Sequence, residues 1–251
     1  MARKRFLTIT LVAMLCILLF SACSGKGGTN DLHTSHVPLP PPQPDDSTFG
    51  IDVNLNIETL DNWLGRDDVV YRDMRMLLDP AQFNLIDGDP KLTKTINGFK
   101  IVPFPFIVTL NALPVPDAYK GRALFNVTWT ESGEIESAAA NYVESMQILE
   151  ELFPKDKAIF LLCGGAGYSA GMRTLLQFLG WDPSMIYVVG PHWKYTGTNN
   201  LDLIYTTEKG DTVYAFWRAD YAFIDFDKLN VSDSNPNDDN GGGEYDPTCE
   251  Y

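Results

Sequence analysis

A run of apolar residues that ends in a cysteine and continues into a glycine-rich loop constrains this chain more than any other feature. Ala158–Leu162 is uniformly apolar, which is typical of a strand that is buried on both faces of a parallel sheet. Cys163 follows directly, and the loop after it leads into a segment with apolar residues at helical spacing. The sequence therefore predicts a central parallel strand over 158–162, with Cys163 at its carboxyl end, and a helix over 169–179.

The loop after Cys163 predicts a site that favours negative charge on the sulfur. Backbone N–H groups at the start of a helix attract anions, and a thiolate held by them has a lowered pKa and acts as a nucleophile. The alternative is a structural cysteine, because buried thiols are common and mostly unreactive. We predict Cys163 as the catalytic residue and the following loop as its cradle: Gly164, Gly165, Ala166, Gly167, Tyr168 and Ser169.

Several segments in order resemble the rhodanese-like (sulfurtransferase) domains. The strand, Cys163, the short loop and a helix ending at Leu179–Trp181 resemble the active-site segment of that family. Val69–Arg75 resembles its early strand, which ends in Asp-x-Arg, and Ile96–Pro103 resembles the segment after it. Ile186–Gly190, with Trp193 shortly after, resembles the next strand. The resemblance implies an α/β fold, namely a single rhodanese-like domain whose central parallel sheet is flanked by helices.

The resemblance also implies a function, which is to carry sulfane sulfur as a persulfide on Cys163 without a cofactor. Its partners would be a small sulfur donor and a thiol acceptor. The family loop usually closes with arginine or threonine, whereas this chain has Tyr168. We expect Tyr168→Arg to restore a charged hydrogen bond and raise transfer. The alternatives are a catalytically weak or inactive binding module and a thiol redox sensor in which Cys249 or an external thiol resolves the oxidised Cys163.

Three further side chains are candidates for a pocket around Cys163. Asp73 and Arg75 end one predicted strand, and His192 follows another. Ligand sites of parallel sheets lie at the carboxyl ends of the strands. Asp73 and Arg75 are expected either to form an ion pair that braces the loop or to contact substrate through Arg75. The other histidines, His33 and His36, lie in a proline-rich stretch, so we predict no metal site.

The N-terminal residues predict export and lipid attachment. Arg3–Arg5 is basic, Phe6–Phe20 is apolar, and small residues precede Cys23. This order resembles the lipobox of bacterial lipoproteins and differs from an ordinary cleaved signal in having a cysteine at the cleavage site. We predict a lipoprotein signal over 1–22, a lipidated Cys23, and a membrane anchor without a span. The expected location is the extracytoplasmic side of the bacterial cell envelope.

Composition divides the remaining chain. Residues 23–47 are rich in Pro, Gly and Ser and are expected to form a tether, residues 48–230 the domain, and residues 231–251 an acidic disordered tail. Alternating residues over 122–135 and 203–217 predict two added β-hairpins, and residues 137–153 predict a helix. The net charge of -14 argues against nucleic acid as a partner.

We expect Cys23→Ala to release the protein from membranes or to leave the precursor uncleaved, because a lipid attached at this residue would be the anchor. Fractionation of cells into membrane and soluble fractions, with the mass of the mature chain, measures both results. Cys16→Ala is the matched control, since Cys16 lies within the apolar segment Phe6–Phe20 and would be removed with the signal. Normal processing and membrane retention of Cys23→Ala would contradict the lipoprotein prediction.

Overall fold

The computed structural model describes residues 37–75, 93–110, 122–214 and 224–233, and four parallel strands form its central sheet. When all strands are counted in chain order, the third, first, sixth and seventh lie side by side in this sheet, in that order. The helices are short apart from the one that follows Cys163. In chain order the elements are β1 (Val69–Asp73), β2 (Lys94–Ile96), β3 (Lys100–Ile101), α1 (Phe104–Ile107), β4 (Phe125–Trp129), β5 (Ile135–Ala140), α2 (Ser145–Leu152), β6 (Ala158–Cys163), α3 (Gly167–Phe178), β7 (Ile186–Pro191), β8 (Asn200–Asp202), β9 (Ile204–Thr206) and β10 (Thr212–Tyr214).

Strand β6 lies at the centre of the sheet, as predicted from its apolar run. It pairs in parallel with β1 on one side and with β7 on the other. All six of its residues are buried. Because side chains alternate between the two faces of a strand, Phe160 and Leu162 enter one apolar core, whereas Leu161 and Cys163 enter the other.

The two faces of the sheet are covered by different kinds of structure. On the face that Cys163 shares, α3 contributes Met172, Leu175 and Leu176, which are fully buried. On the opposite face, the segment from Leu55 to Leu64 packs against Phe160 and contains one short 3-10 helix, Leu60–Asn62. The sheet is therefore covered on both faces, which explains why its central strand β6 carries no charged residue.

Both predicted hairpins are present, and a third antiparallel pair was not predicted. Strand β4 pairs with β5, and β9 pairs with β10. Strand β2 pairs with β8, although more than 100 residues separate them in the chain. These pairs extend the α/β core with antiparallel structure beside the parallel sheet.

The predicted helix over 137–153 is wrong in its first half. Ser137–Ala140 belongs to β5, and the helix α2 begins at Ser145. The alanines pair with Phe125–Val127 across the hairpin, and Ala138 and Ala140 pack against the core. Pairing with a neighbouring strand thus outweighs the intrinsic preference of alanine for helix.

The folded unit includes residues that the sequence assigned to the tether. Tyr187 donates a hydrogen bond to the carbonyl of Pro40 at 2.7 Å, and Arg66 donates one to the carbonyl of Val37 at 2.9 Å. Leu39 packs against the core beside Phe160. Residues 37–47 are thus part of the domain, while residues 23–36 lie outside the described residues.

At the other end, Val231 bridges to Tyr142, and residues 234–251 of the predicted tail lie outside the described residues. The predicted signal segment lies outside them as well. Among the residues that are described, no helix has the length and hydropathy needed to cross a lipid bilayer.

Candidate active site at the carboxyl edge of the sheet

Three strands deliver the candidate residues to one edge of the sheet. Asp73 is the last residue of β1 and Cys163 the last of β6, and Cys163 is in register with Pro191 at the end of β7. His192 follows Pro191 immediately. Because these strands are parallel, their carboxyl ends meet, and the structure brings together the four side chains that the sequence singled out: Asp73, Arg75, Cys163 and His192.

The loop after Cys163 directs backbone N–H groups at the sulfur. The backbone N–H groups of Gly165 and Tyr168 favour the thiolate form of Cys163 and so lower its pKa. Between them, Ala166 adopts a left-handed conformation with φ of 75°. Helix α3 begins with the next residue, Gly167. The predicted cradle is therefore made by two amides, one from the loop and one from the first turn of the helix.

Burial outweighs these amides. Only 6% of Cys163 is exposed, and its side chain lies on the face of the sheet that packs against α3. Burial raises the pKa of the Cys163 thiol above its usual value, and the negative charge of Asp73 raises it further, whereas the two amides and Arg75 lower it. The expectation of a lowered pKa is thus wrong, because the cradle lies at the edge of an apolar core.

Tyr168 belongs to that apolar core and not to the mouth of the loop. Its side chain is buried, and its ring centroid lies 5.4 Å from that of Phe104. The residue therefore offers its backbone N–H to the site while its ring packs in the core. Ser169, also buried, donates from Oγ to the carbonyl of Ala166 at 3.2 Å, which closes the first turn of α3.

Asp73 and Arg75 form the buried ion pair that the sequence offered as one reading. Arg75 Nη2 lies 2.6 Å from Asp73 Oδ2, and Arg75 Nε donates to Oδ1 at 2.9 Å. Thr95 donates a further hydrogen bond to Asp73 Oδ2 at 2.7 Å. Although burial raises the pKa of Asp73, the charge and hydrogen bonds of Arg75 and, to a smaller degree, the hydrogen bond from Thr95 hold it below its usual value. The carboxylate is therefore ionised and well held.

His192 joins the pair through Arg75. Its Nδ1 lies 3.2 Å from Arg75 Nη1, and the residue is buried. A guanidinium only donates hydrogen bonds, so Nδ1 accepts here and the neutral imidazole carries its proton on Nε2. Arg75 also donates to the carbonyl of Lys94 at 2.7 Å. Its charge is thus shared among several acceptors, and the effect of Asp73 on the Cys163 pKa exceeds that of Arg75.

Sequence reasoning missed Thr95. It reaches Asp73 from β2, which is held in place by pairing with the distant strand β8. No local pattern marks such a residue, because its role arises from contacts between remote parts of the chain. Among the described residues, no group of histidine, cysteine and carboxylate side chains is placed to hold a metal ion. Cys23 and Cys249 lie outside the described residues.

No protein-family model, curated protein or solved structure matches this chain. The resemblance to rhodanese-like domains therefore remains a prediction from sequence motifs, alongside an observed central parallel sheet.

Tyr168→Arg is expected to destabilise the protein and not to activate it. An arginine at this position would place an uncompensated charge against Phe104 in the core, at a cost of about 3–5 kcal/mol in the free energy of unfolding. Urea denaturation measures this loss. Tyr168→Phe, which keeps the ring contact, is the control and should cost no more than about 1.5 kcal/mol. An arginine variant as stable as the wild type would show that the side chain can leave the core.

Alkylation of Cys163 is expected to require a higher pH than alkylation of an ordinary thiol. Burial raises its pKa, so the reactive thiolate forms late. The rate of carboxamidomethylation of the Cys163 peptide, followed by mass spectrometry across pH, gives the midpoint, and a synthetic peptide containing Cys249 gives the reference near pH ~8.5.

The same pKa shift predicts a pH dependence of stability. The folded-state pKa lies above the unfolded one, so Cys163 contributes stability that is fully present below about pH 8.5 and is lost as pH rises through the folded pKa. Cys163→Ser should remove this contribution. An alkylation midpoint for Cys163 at or below that of the Cys249 peptide would contradict the raised pKa.

Proposed function

We propose that this chain is a lipid-anchored, extracytoplasmic rhodanese-like protein of the bacterial cell envelope that carries sulfane sulfur as a persulfide on Cys163. The observation that carries this proposal is the pair of backbone N–H groups, from Gly165 and Tyr168, that favour negative charge on the Cys163 sulfur. The motif order in the sequence supports the family, and the N-terminal residues support the anchor.

The geometry suits sulfur transfer because each step places charge on a sulfur beside fixed donors. In the loading step, the Cys163 thiolate attacks the outer sulfur of thiosulfate. A new S–S bond forms, the old one breaks, and sulfite leaves with its electron pair. In the unloading step, cyanide or an acceptor thiolate attacks the terminal sulfur, and the Cys163 thiolate leaves with the electron pair. Amides that are already oriented lose little energy in reorganisation when the charge develops.

In the persulfide, the negative charge lies on the terminal sulfur and not on Sγ. Its terminal sulfur lies about 2 Å beyond Sγ, and Cys163 is the last residue of β6 at the carboxyl edge of the sheet. We propose that the terminal sulfur is less affected by burial than Sγ itself. This difference favours the loaded form over the free thiolate, which is the property that a sulfur carrier needs.

The raised pKa of the free thiol makes loading slow. The reactive fraction of Cys163 is its thiolate, and burial keeps that fraction small at neutral pH. Below the pKa, the loading rate should rise about tenfold for each pH unit. We therefore propose a weak sulfurtransferase whose turnover is limited by deprotonation of Cys163.

A binding module without turnover is the second candidate, and the low exposure of Cys163 favours it. In that case the edge formed by Asp73, Arg75 and His192 would recognise a ligand while the thiol stays protonated. The redox-sensor alternative lacks a comparable observation, since Cys163 is the one cysteine among the described residues.

Sulfur loading is measured by incubating the full chain with thiosulfate or polysulfide and mapping its peptides by mass. We expect the Cys163 peptide to gain one sulfur atom, to gain it faster at higher pH, and to lose it on addition of cyanide with formation of thiocyanate. Cys163→Ser should abolish both steps, and Cys249→Ser is the matched control that should leave them unchanged. If Cys163 takes up no sulfur from either donor up to about pH 10, the binding module becomes the better account.

A further inference from the structure

Trp193 is an exposed aromatic residue that lies against the loop after Cys163. Its side chain is 47% exposed, although large apolar residues at this edge of the sheet are otherwise mostly buried. The residue belongs to the short 3-10 helix His192–Lys194, which follows β7 directly. Its backbone N–H points to the carbonyl of Gly164 at 3.4 Å. Strand pairing thus places the indole beside the cradle.

The indole occupies the space that a side chain at position 164 would need. A Cβ atom on Gly164 would lie 2.8 Å from Trp193 Nε1 and 3.0 Å from Cε2. A Cβ atom on Gly165 would lie 3.4 Å from Trp193 Cζ3, which is ordinary contact. Neither glycine has a left-handed backbone, so conformation alone does not require glycine at 164. The close approach of the indole requires glycine at position 164.

We propose that Trp193 is a positioning residue for the sulfur cradle, because its indole packs against Gly164 and Gly165 and fixes the backbone of the loop that follows Cys163. A loop with several glycines has many accessible conformations, and a site works best when its donors are held by packing. The end of the loop is held by Tyr168, which is anchored in the core. Trp193 holds its beginning.

This role rests on the proposed function only in treating the Cys163 sulfur as the reacting atom. Alkylation of Cys163 tests it without any sulfur transfer, so a failure of sulfur loading and a failure of this role are distinguishable. The reagent is iodoacetamide, which is small, and the protein is the full chain.

Trp193→Ala should make alkylation of Cys163 slower. A loosened loop should weaken the amide contacts that favour the thiolate, so the midpoint of the alkylation–pH curve should shift upward by up to about one pH unit and alkylation at pH ~8 should slow by up to about tenfold. Trp193→Phe, which keeps a flat ring on the loop, should shift the midpoint of the Cys163 alkylation–pH curve less. Phe178→Ala is the matched control, since Phe178 is exposed to the same extent, 48%, near the far end of α3.

Gly164→Ala probes the same contact from the other side. Its Cβ should push the indole off the loop and slow alkylation in the same direction. When combined with Trp193→Ala, it should add little, because the contact is already lost. Gly165→Ala, whose Cβ fits beside the ring, should have a smaller effect. Thermal unfolding of each variant shows whether the fold is retained.

Three results would overturn the role. Faster alkylation of Trp193→Ala would mean that the indole covers the thiol and excludes reagents. An unchanged midpoint in a folded Trp193→Ala variant would mean that the cradle holds its shape without the indole. Additive effects of Gly164→Ala and Trp193→Ala would mean that the two residues act separately.

Discussion

The burial of β6 on both faces determines the properties of everything at the carboxyl edge of the sheet. The strand pairs with β1 and β7, so its last residue, Cys163, is delivered to the point where Asp73 and His192 also emerge. The same burial places the thiol on the side of an apolar core. Position and protonation of the sulfur are therefore two consequences of one constraint.

The electrostatics of the edge show how these consequences compete. Two backbone amides favour a thiolate, whereas desolvation and the charge of Asp73 oppose it, and burial is the largest effect. Arg75 supplies a cation but is paired with Asp73 at 2.6 Å. This pair is better suited to brace the strand ends than to activate the sulfur, because its two charges largely cancel at a distance.

Local patterns in the sequence predicted the elements whose form is decided locally. The apolar run of β6 and the alternating residues of the β4–β5 and β9–β10 hairpins predicted the correct type of structure. The helical spacing of apolar residues after the Cys163 loop also predicted the correct type. Features that depend on remote contacts were missed. They include the pairing of β2 with β8 and the hydrogen bond from Tyr187 to the carbonyl of Pro40. The strand conformation of Ser137–Ala140 was also missed, because the alanines there favour helix. The position of Cys163 was predictable, but its raised pKa was not, because burial depends on what α3 and its neighbours place around it.

The central claim is that the amides of Gly165 and Tyr168 respond to charge on the Cys163 sulfur. Their backbone proton shifts, followed by NMR as pH is raised, test this directly. Both amide protons should move to higher frequency together, with one midpoint above that of an ordinary thiol, and neither should move in this way in Cys163→Ser. Shifts that stay constant through deprotonation of Cys163, or that persist in Cys163→Ser, would contradict the account.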